Sequence, residues 1–447
     1  MASSLLLLHL HPPHFSSPIA TRRDSGFPTP LIPSPFRVSL RTTRRSGRGR
    51  CSTSTSSEVS LSEEFQRDEQ SDELRIMLSG GGTGGHIYPA IAVADEIKTL
   101  HPTARFRFVG RQYGVEWAAV QAAGFEIVAI QAYALKRPFL SVANLLLPFR
   151  LLKSMAESWR ILDEFRPEVV IGTGGYVSFP VCFVAALRGI KMVIQEQNSQ
   201  AGLANWVLSA FATKIFLAFS LCVQYFPADK CMVTGNPVRP SLRAFVSKAV
   251  ARTHFFPSAG KSAKTPQVVL ILGGSAKANN VNVAVLNMYS QMLMEHKDRY
   301  IIWQTGHDGF DEMESLVKGH RRLSLVPFLE RMDLAYAAAD LVISRAGAMT
   351  CTEILTTGKP SILIPLPDVA EDHQTRNASI MTEIAGSMVL DEEMLDSSTL
   401  RAAIEEILGD ESLMTEMSEK CLRSAMPEAS RQIAEQILSL VDVSHKQ

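Results

Sequence analysis

No stretch of this chain is long and apolar enough to cross a bilayer: runs such as Val268 to Leu272 stop far short of the roughly 20 residues a spanning helix needs. Any membrane contact is therefore expected to be peripheral. Cysteine is scarce and unpatterned. The six, at 51, 182, 222, 231, 351 and 421, form no CxxC and no Cys/His metal spacing, which gives little basis for a disulfide framework or a zinc site and fits a reducing compartment. Net charge is absent too, with 45 Lys and Arg against 45 Asp and Glu, so the chain is not built as a basic nucleic-acid binder. Its 447 residues, 46% of them hydrophobic, suffice for two or more globular cores.

Acids are nearly missing from residues 1–57, where Asp24 stands alone among arginines at 22, 23, 37, 41, 44, 45, 48 and 50. Rich in Ser and Thr, this segment cannot build a core. It has the make-up of an organelle transit peptide, and the Met-Ala-Ser-Ser start with scattered prolines points to the chloroplast, either the stroma or the stromal face of the inner envelope. Cleavage is expected near Arg50-Cys51. The alternative is a tail without an address. Residues 58–73 are acidic and polar and read as a linker.

From Leu74 onward, short branched aliphatic runs alternate with longer amphipathic stretches, the pattern of an α/β protein with parallel sheets covered by helices. Strands are expected at 75–78, 106–109, 127–130, 169–171, 192–195, 215–217 and 232–234. A second series follows at 268–272, 300–304, 323–326, 341–344, 361–364 and 388–390. Between the two series, Gly235-Asn236-Pro237-Val238-Arg239-Pro240 blocks helix continuation and reads as an interdomain hinge. The expected units are 74–238 and 239–425, with 426–447 a final helix that could pack back on the first unit.

The first strand runs into Gly80-Gly81-Gly82-Thr83-Gly84-Gly85-His86, followed by Pro89 and an apolar-periodic helix. Glycines let backbone amides approach an anion or a sugar closely, and a helix N-terminus adds a favourable field. Gly80, Gly82 and Gly85 also satisfy GxGxxG. A dinucleotide site, however, wants an acid near the end of the second strand, and that strand ends Phe108-Val109-Gly110-Arg111. Two more strands feed glycine loops, Gly172-Thr173-Gly174-Gly175 and Gly273-Gly274-Ser275. Each alone can be a tight turn; together they place ligand groups on both walls of one cleft.

In the second unit, Ser344-Arg345-Ala346-Gly347-Ala348-Met349-Thr350-Cys351-Thr352-Glu353 begins as a strand end and becomes a helix. Its exposed amides suit a diphosphate, and Glu353 can accept from ribose hydroxyls or merely serve the helix dipole. Gln374 and Asn377, three apart on a helix, are either sugar-reading amides or a solvated face.

GGTGGHIYPA, TGGYVSFP, QEQNSQAGLANW, TGNPVR, LGGSAKAN, SRAGAMTCTEI and DHQTRNA occur here in the order and spacing of the MurG family. The chain resembles that family over nearly all of Leu74 to the C-terminus. The resemblance implies a GT-B fold, two Rossmann-like domains facing a cleft, and an inverting transfer of N-acetylglucosamine from UDP-GlcNAc to the 4-hydroxyl of a lipid-linked N-acetylmuramoyl-pentapeptide. It implies donor contacts at Thr83, Gly84, Gly85 and Asn198 in the first domain. In the second it implies UDP contacts at Arg239, Ser275, Leu329, Ala348, Met349, Thr350, Cys351, Thr352, Glu353 and Gln374, with uracil and ribose read at Leu329 and Glu353. Asn377 joins them as a further amide. No essential metal or other cofactor is expected, since no DxD element stands near these motifs.

An inverting transfer needs a base, and His86 is the candidate, with Glu196 as rival or partner. The other reading of His86 is that it orients the loop or contacts the donor. Two departures sit beside the substrates: Gln195 stands where the family commonly has His, and Ala276-Lys277 interrupts its Gly-Gly-Ser-Gln-Gly-Ala. The expected acceptor is a polyprenyl-pyrophosphoryl lipid. Leu145, Leu146, Leu147, Phe149, Leu151, Leu152, Met155 and Trp159 form an apolar stripe among Arg150, Lys153 and Arg160. This is either a peripheral membrane contact or a core-facing helix. Two alternatives stand beside the main reading: another plastid lipid-directed GT-B glycosyltransferase, and a non-catalytic UDP-sugar-binding protein.

Overall fold

The structure is a computed structural model that describes residues 73–136, 141–257, 266–273, 279–367 and 372–442. The expected transit segment, nearly all of the expected linker, and Ser275 with Ala276 and Lys277 lie outside the described residues.

Strands form where branched aliphatic runs can be covered on both faces. β1 (Arg75–Ser79), β2 (Arg105–Gly110), β3 (Glu126–Ala129), β4 (Val169–Gly172), β5 (Lys191–Glu196), β6 (Lys214–Leu217) and β7 (Cys231–Val233) make a 7-stranded sheet in the order β3-β2-β1-β4-β5-β6-β7. β8 (Gln267–Leu272), β9 (Arg299–Gln304), β10 (Leu323–Val326), β11 (Leu341–Ser344), β12 (Ser361–Leu363) and β13 (Met388–Val389) make a 6-stranded sheet in the order β10-β9-β8-β11-β12-β13. Every pairing in both is parallel. Each expected strand is present, its ends displaced by no more than about one residue, the usual uncertainty of such boundaries.

Side chains alternate across each sheet as the strand period of two requires. Ile76 and Leu78 pack with Ile91 and Ile97 on one face, while Met77 packs with Leu162 and Val181 on the other. In the second sheet Val268, Leu270 and Leu272 face Ala335 and Ile354, and Val269 and Ile271 face Val285, Met292 and Ile404. Covering on both faces is what a wholly parallel sheet needs, and it explains why these strands read as continuous apolar runs.

The chain crosses between the units twice. Gly235, on the outbound crossing, has φ +84°, and a Cβ there would lie 2.7 Å from the Cβ of Met426 on the return. The two crossings therefore touch, and only glycine fits without displacing one of them. The last helix, Ala429–Asp442, buries Ile433, Ala434, Ile437 and Val441 in the core of the first unit. Ser430 Oγ donates to Val238 O at 3.0 Å and Lys191 Nζ to Leu440 O at 2.6 Å, so by packing this helix belongs to the first unit.

Candidate active site

In each sheet the first strand lies between neighbours reached in opposite directions, β1 between β2 and β4, and β8 between β9 and β11. Chain leaving adjacent strand ends there turns to opposite faces, which opens a crevice at the carboxyl edge. The small-residue segments occupy these positions: 80–85 after β1, 173–175 after β4, Gly273 after β8, and Ala346-Gly347 after β11.

The first glycine loop is held from beneath by Glu116, which is wholly buried. Its carboxylate accepts from Gly82 N (3.4 Å), Arg111 N (3.1 Å) and Arg111 Nε (3.2 Å). The acid beyond the second strand thus serves the loop itself. Thr83 is exposed at the rim, with Gly84 and Gly85 half-buried beside it as the helix Gly84–Leu100 begins.

His86 sits in the first turn of that helix, half-buried. Its Nδ1 is 3.0 Å from Gln197 Oε1, and its carbonyl accepts from Thr173 Oγ1 at 2.6 Å. The second glycine loop closes around the ring. Gly174 and Gly175 have φ of +91° and +78°, and a Cβ on Gly175 would stand 2.2 Å from Gly81 O. The two loops therefore interlock around one imidazole.

Glu196 requires a correction. Its carboxylate, 1% exposed, accepts from Asn198 N (3.1 Å), Asn198 Nδ2 (3.3 Å), Gly202 N (3.0 Å) and Asn205 Nδ2 (2.9 Å). Those donors hold both oxygens, so Glu196 pins the loop carrying Asn198 and is not placed as a base. Gln195, one of the departures, is equally buried and lies between Gln197 and Asn236, away from the cleft surface.

On the other wall, Arg239 is the hub. Its guanidinium stacks 4.8 Å from the centre of the Tyr88 ring and its Nη2 stands 3.9 Å from Glu353 Oε1. Glu353 Oε2 accepts from the buried Tyr336 hydroxyl at 3.0 Å. Burial pushes the Glu353 carboxyl above its ordinary range, while Arg239 and the Tyr336 hydroxyl pull it part of the way back. Burial, and then Glu353, push the Tyr336 phenol well up. Tyr88 comes from the first helix of the first unit, so the loop bearing His86 and the carboxylate at 353 are joined through one ring.

The helix Ala348–Thr357 begins after Gly347, which is extended and caps with no side chain. That leaves the amides of Ala348, Met349 and Thr350 for an anion. The next two residues, Cys351 and Thr352, are corrected. Cys351 is fully buried in the core, its thiol pushed up to about 12 by burial. Thr352 Oγ1 donates to Ala348 O at 2.9 Å and accepts from Asn236 Nδ2 at 3.1 Å, so neither side chain is presented to a ligand. Leu329 has a core side chain, and its amide donates to Gln304 Oε1 at 2.9 Å. Gln374 Oε1 accepts from Leu366 N at 3.0 Å, bracing the turn after β12.

Asn377 is neither a solvated residue nor a sugar-reading amide. It is fully buried, accepting from Ser199 Oγ at 3.1 Å and donating to Ala346 O at 3.2 Å. Sequence reasoning missed Glu116, Gln197, Asn236, Gln304, Tyr88 and Tyr336. Of these, Tyr88, Gln197 and Asn236 stood inside GGTGGHIYPA, QEQNSQAGLANW and TGNPVR and so carried a local signal. Among the described residues no His, Cys, Asp and Glu side chains gather into a set that could hold a metal ion.

Away from the cleft, the helix Leu147–Phe165 buries Ser154 and Ser158 along with Ile161, Leu162 and Phe165. Phe149, Leu152 and Trp159 are exposed, as are Leu145 and Leu146 just before the helix. Those five face outward, whereas Leu147 and Leu151 are half-buried and Met155 packs against the core of the first unit. No helix among the described residues is long and apolar enough to cross a membrane.

The glycosyltransferase family 28 N-terminal domain matches residues 76–217, and the C-terminal domain of that family matches residues 268–436. The UDP-N-acetylglucosamine--N-acetylmuramyl-(pentapeptide) pyrophosphoryl-undecaprenol N-acetylglucosamine transferase of Salinibacter ruber is 40% identical over 82% of this chain and 97% of its own length. The transferase of the same description from Flavobacterium psychrophilum is 40% identical over 83% of this chain and 99% of its own. The crystal structure of Acinetobacter baumannii MurG superposes with a TM-score of 0.60 at 28% identity, covering 82% of this chain and 99% of that one.

Proposed function

The chain belongs to the MurG family of glycosyltransferase family 28, and we propose that it transfers N-acetylglucosamine from UDP-GlcNAc to the 4-hydroxyl of a lipid-linked N-acetylmuramoyl-pentapeptide. Its fold is GT-B and its class is UDP-GlcNAc-dependent glycosyltransferase. The observation that carries the site assignment is the join between the two walls. Tyr88, two residues beyond His86, stacks on Arg239, which in turn faces Glu353.

In the proposed step the acceptor hydroxyl attacks the anomeric carbon as the bond from that carbon to the diphosphate oxygen breaks. The proton passes to His86 and the bonding electrons leave with UDP. The amides of Ala348 to Thr350 and the Arg239 guanidinium offset the charge that develops on the diphosphate. Glu353 takes the ribose hydroxyls through the oxygen facing Arg239, whose 3.9 Å separation exceeds a direct hydrogen bond. The lipid end of the acceptor lies along the outward stripe of Leu145, Phe149, Leu152 and Trp159, with Arg150, Lys153 and Arg160 toward anionic headgroups. The composition of residues 1–57 supports delivery to a plastid, and a fluorescent fusion of that segment found outside plastids would overturn it.

The test is transfer of labelled GlcNAc from UDP-GlcNAc to a synthetic muramoyl-pentapeptide lipid by residues 58–447. Wild type should form product, and His86→Ala should lose about 100- to 10,000-fold in kcat. UDP-GlcNAc binding without product would sink the proposal.

A further inference from the structure

We propose that a buried chain of side chains, Gln197, Gln195, Asn236 and Thr352, holds His86 as the tautomer protonated on Nδ1, leaving Nε2 with its lone pair. The same chain crosses the hinge to the helix whose amides face the diphosphate. The inference rests on His86 being the base, but the tautomer is measurable without turnover.

The direction of each bond follows from main-chain carbonyls, which can only accept. Gln197 Nε2 donates to Thr173 O at 2.7 Å and to Gln195 O at 3.2 Å. That turns Gln197 Oε1 toward His86 Nδ1, 3.0 Å away. An oxygen at that position requires the proton to sit on Nδ1. Asn236 Nδ2 donates to Gln197 O at 3.0 Å and to Thr352 Oγ1 at 3.1 Å, while the Thr352 hydroxyl sends its own proton to Ala348 O at 2.9 Å. Asn236 Oδ1 is thereby directed to accept from Gln195 Nε2 at 2.8 Å, and Gln195 Oε1 shares with Gln195 O the second hydrogen of Gln197 Nε2, the first going to Thr173 O.

All four side chains are under 10% exposed. Turning Gln195 or Asn236 over would set N–H against N–H and oxygen against oxygen, and turning Gln197 over would set its oxygen against the carbonyls of Thr173 and Gln195, inside the core where water cannot repair the loss. Each link therefore enforces the next, from the first turn of the helix Ala348–Thr357 to the imidazole. A neutral imidazole has one donor and one acceptor nitrogen. With Nδ1 committed to Gln197, Nε2 is the nitrogen able to take a proton. In the other tautomer Nε2 carries a hydrogen and cannot act as base. Gln197, Gln195, Asn236 and Thr352 are positioning residues, acting on the reaction only through His86. A histidine at 195 could also accept from Gln197 with one nitrogen and donate to Asn236 with the other.

The experiment is nuclear magnetic resonance of isotope-labelled histidine ring nitrogens in the full chain, with His86→Ala identifying the His86 signals. Wild type should show a protonated Nδ1 and an unprotonated Nε2. Gln197→Met should populate the opposite tautomer and lower kcat about 100-fold or more, with KM for UDP-GlcNAc within a few fold of wild type. Gln195→His should preserve both tautomer and kcat. A wild-type His86 protonated on Nε2, or a Gln197→Met protein with an unchanged tautomer, overturns the proposal. If Gln197→Met does not fold, the wild-type spectrum and Gln195→His decide. A correct tautomer in a protein that transfers no GlcNAc sinks the functional reading and leaves this one standing.

Discussion

Ser199 Oγ donates to Asn377 Oδ1 at 3.1 Å, tying the loop after β5 to the helix His373–Ala385 across the line between the two sheets. Asn377→Ala would leave both Ser199 Oγ and Ala346 O without this partner in a dry interior. Each group so stranded costs about 1–3 kcal/mol, so urea denaturation should show a loss of at least that order. A loss below about 0.5 kcal/mol would mean that the bond does not hold the halves together.

Glu353 predicts an opposition between stability and function. A carboxyl whose folded pKa is raised binds its proton more tightly in the folded state, so it favours folding at low pH. That advantage disappears as pH rises through the raised value, above which the buried charge opposes folding. Glu353→Gln should therefore melt higher than wild type at pH 8, and the gap should close as pH falls below about 4. GlcNAc transfer should fall in the same variant. Thermal melts across pH that show a constant gap, or a wild type more stable at pH 8, would contradict the argument.

Gly175 and Gly189 separate steric closeness from backbone strain. Both have positive φ, +78° and +68°, but a Cβ on Gly175 meets Gly81 O at 2.2 Å, whereas one on Gly189 meets nothing within 4 Å. Gly189→Ala should cost about 1–2 kcal/mol, the left-handed penalty alone. Gly175→Ala should cost more and should also lower kcat, because the displaced carbonyl belongs to the loop around His86. Equal costs in equilibrium unfolding would refute the interlock.

The outward stripe predicts lipid binding. Leu152→Glu with Trp159→Glu places charge on exposed apolar residues of the helix Leu147–Phe165, so folding should be little affected while sedimentation with anionic vesicles is lost. Met294→Glu, on an exposed residue of the second unit, is the control and should sediment as wild type does. Equal sedimentation of all three proteins would remove the membrane reading.

Much of the fold was legible because parallel strands buried on both faces need unbroken apolar runs, and such runs survive in the primary sequence as Val268 to Leu272 or Leu341 to Ser344. The hinge was legible for a similar reason: Pro237 and Pro240 limit the backbone wherever they stand. The outward or inward sense of the helix at 147–165 was not. Its periodicity is the same in either case, and only its packing on Ser154 and Ser158 decides which side is covered.

The site divides along the same line. The order of the glycine loops, the imidazole at 86 and the carboxylate at 353 could be read from spacing, because strand, turn and helix are local and set which residues reach a sheet edge. Whether a polar side chain there meets a ligand or another part of the protein depends on partners far along the chain. Glu196 looked like a base until Gly202 and Asn205 took its oxygens, and Asn377 looked like a ligand amide until Ser199, 178 residues away, took its carbonyl. A hydrogen bond is specified by two groups a few ångströms apart, and only the packing of one sheet's loops against the other's brings those groups together.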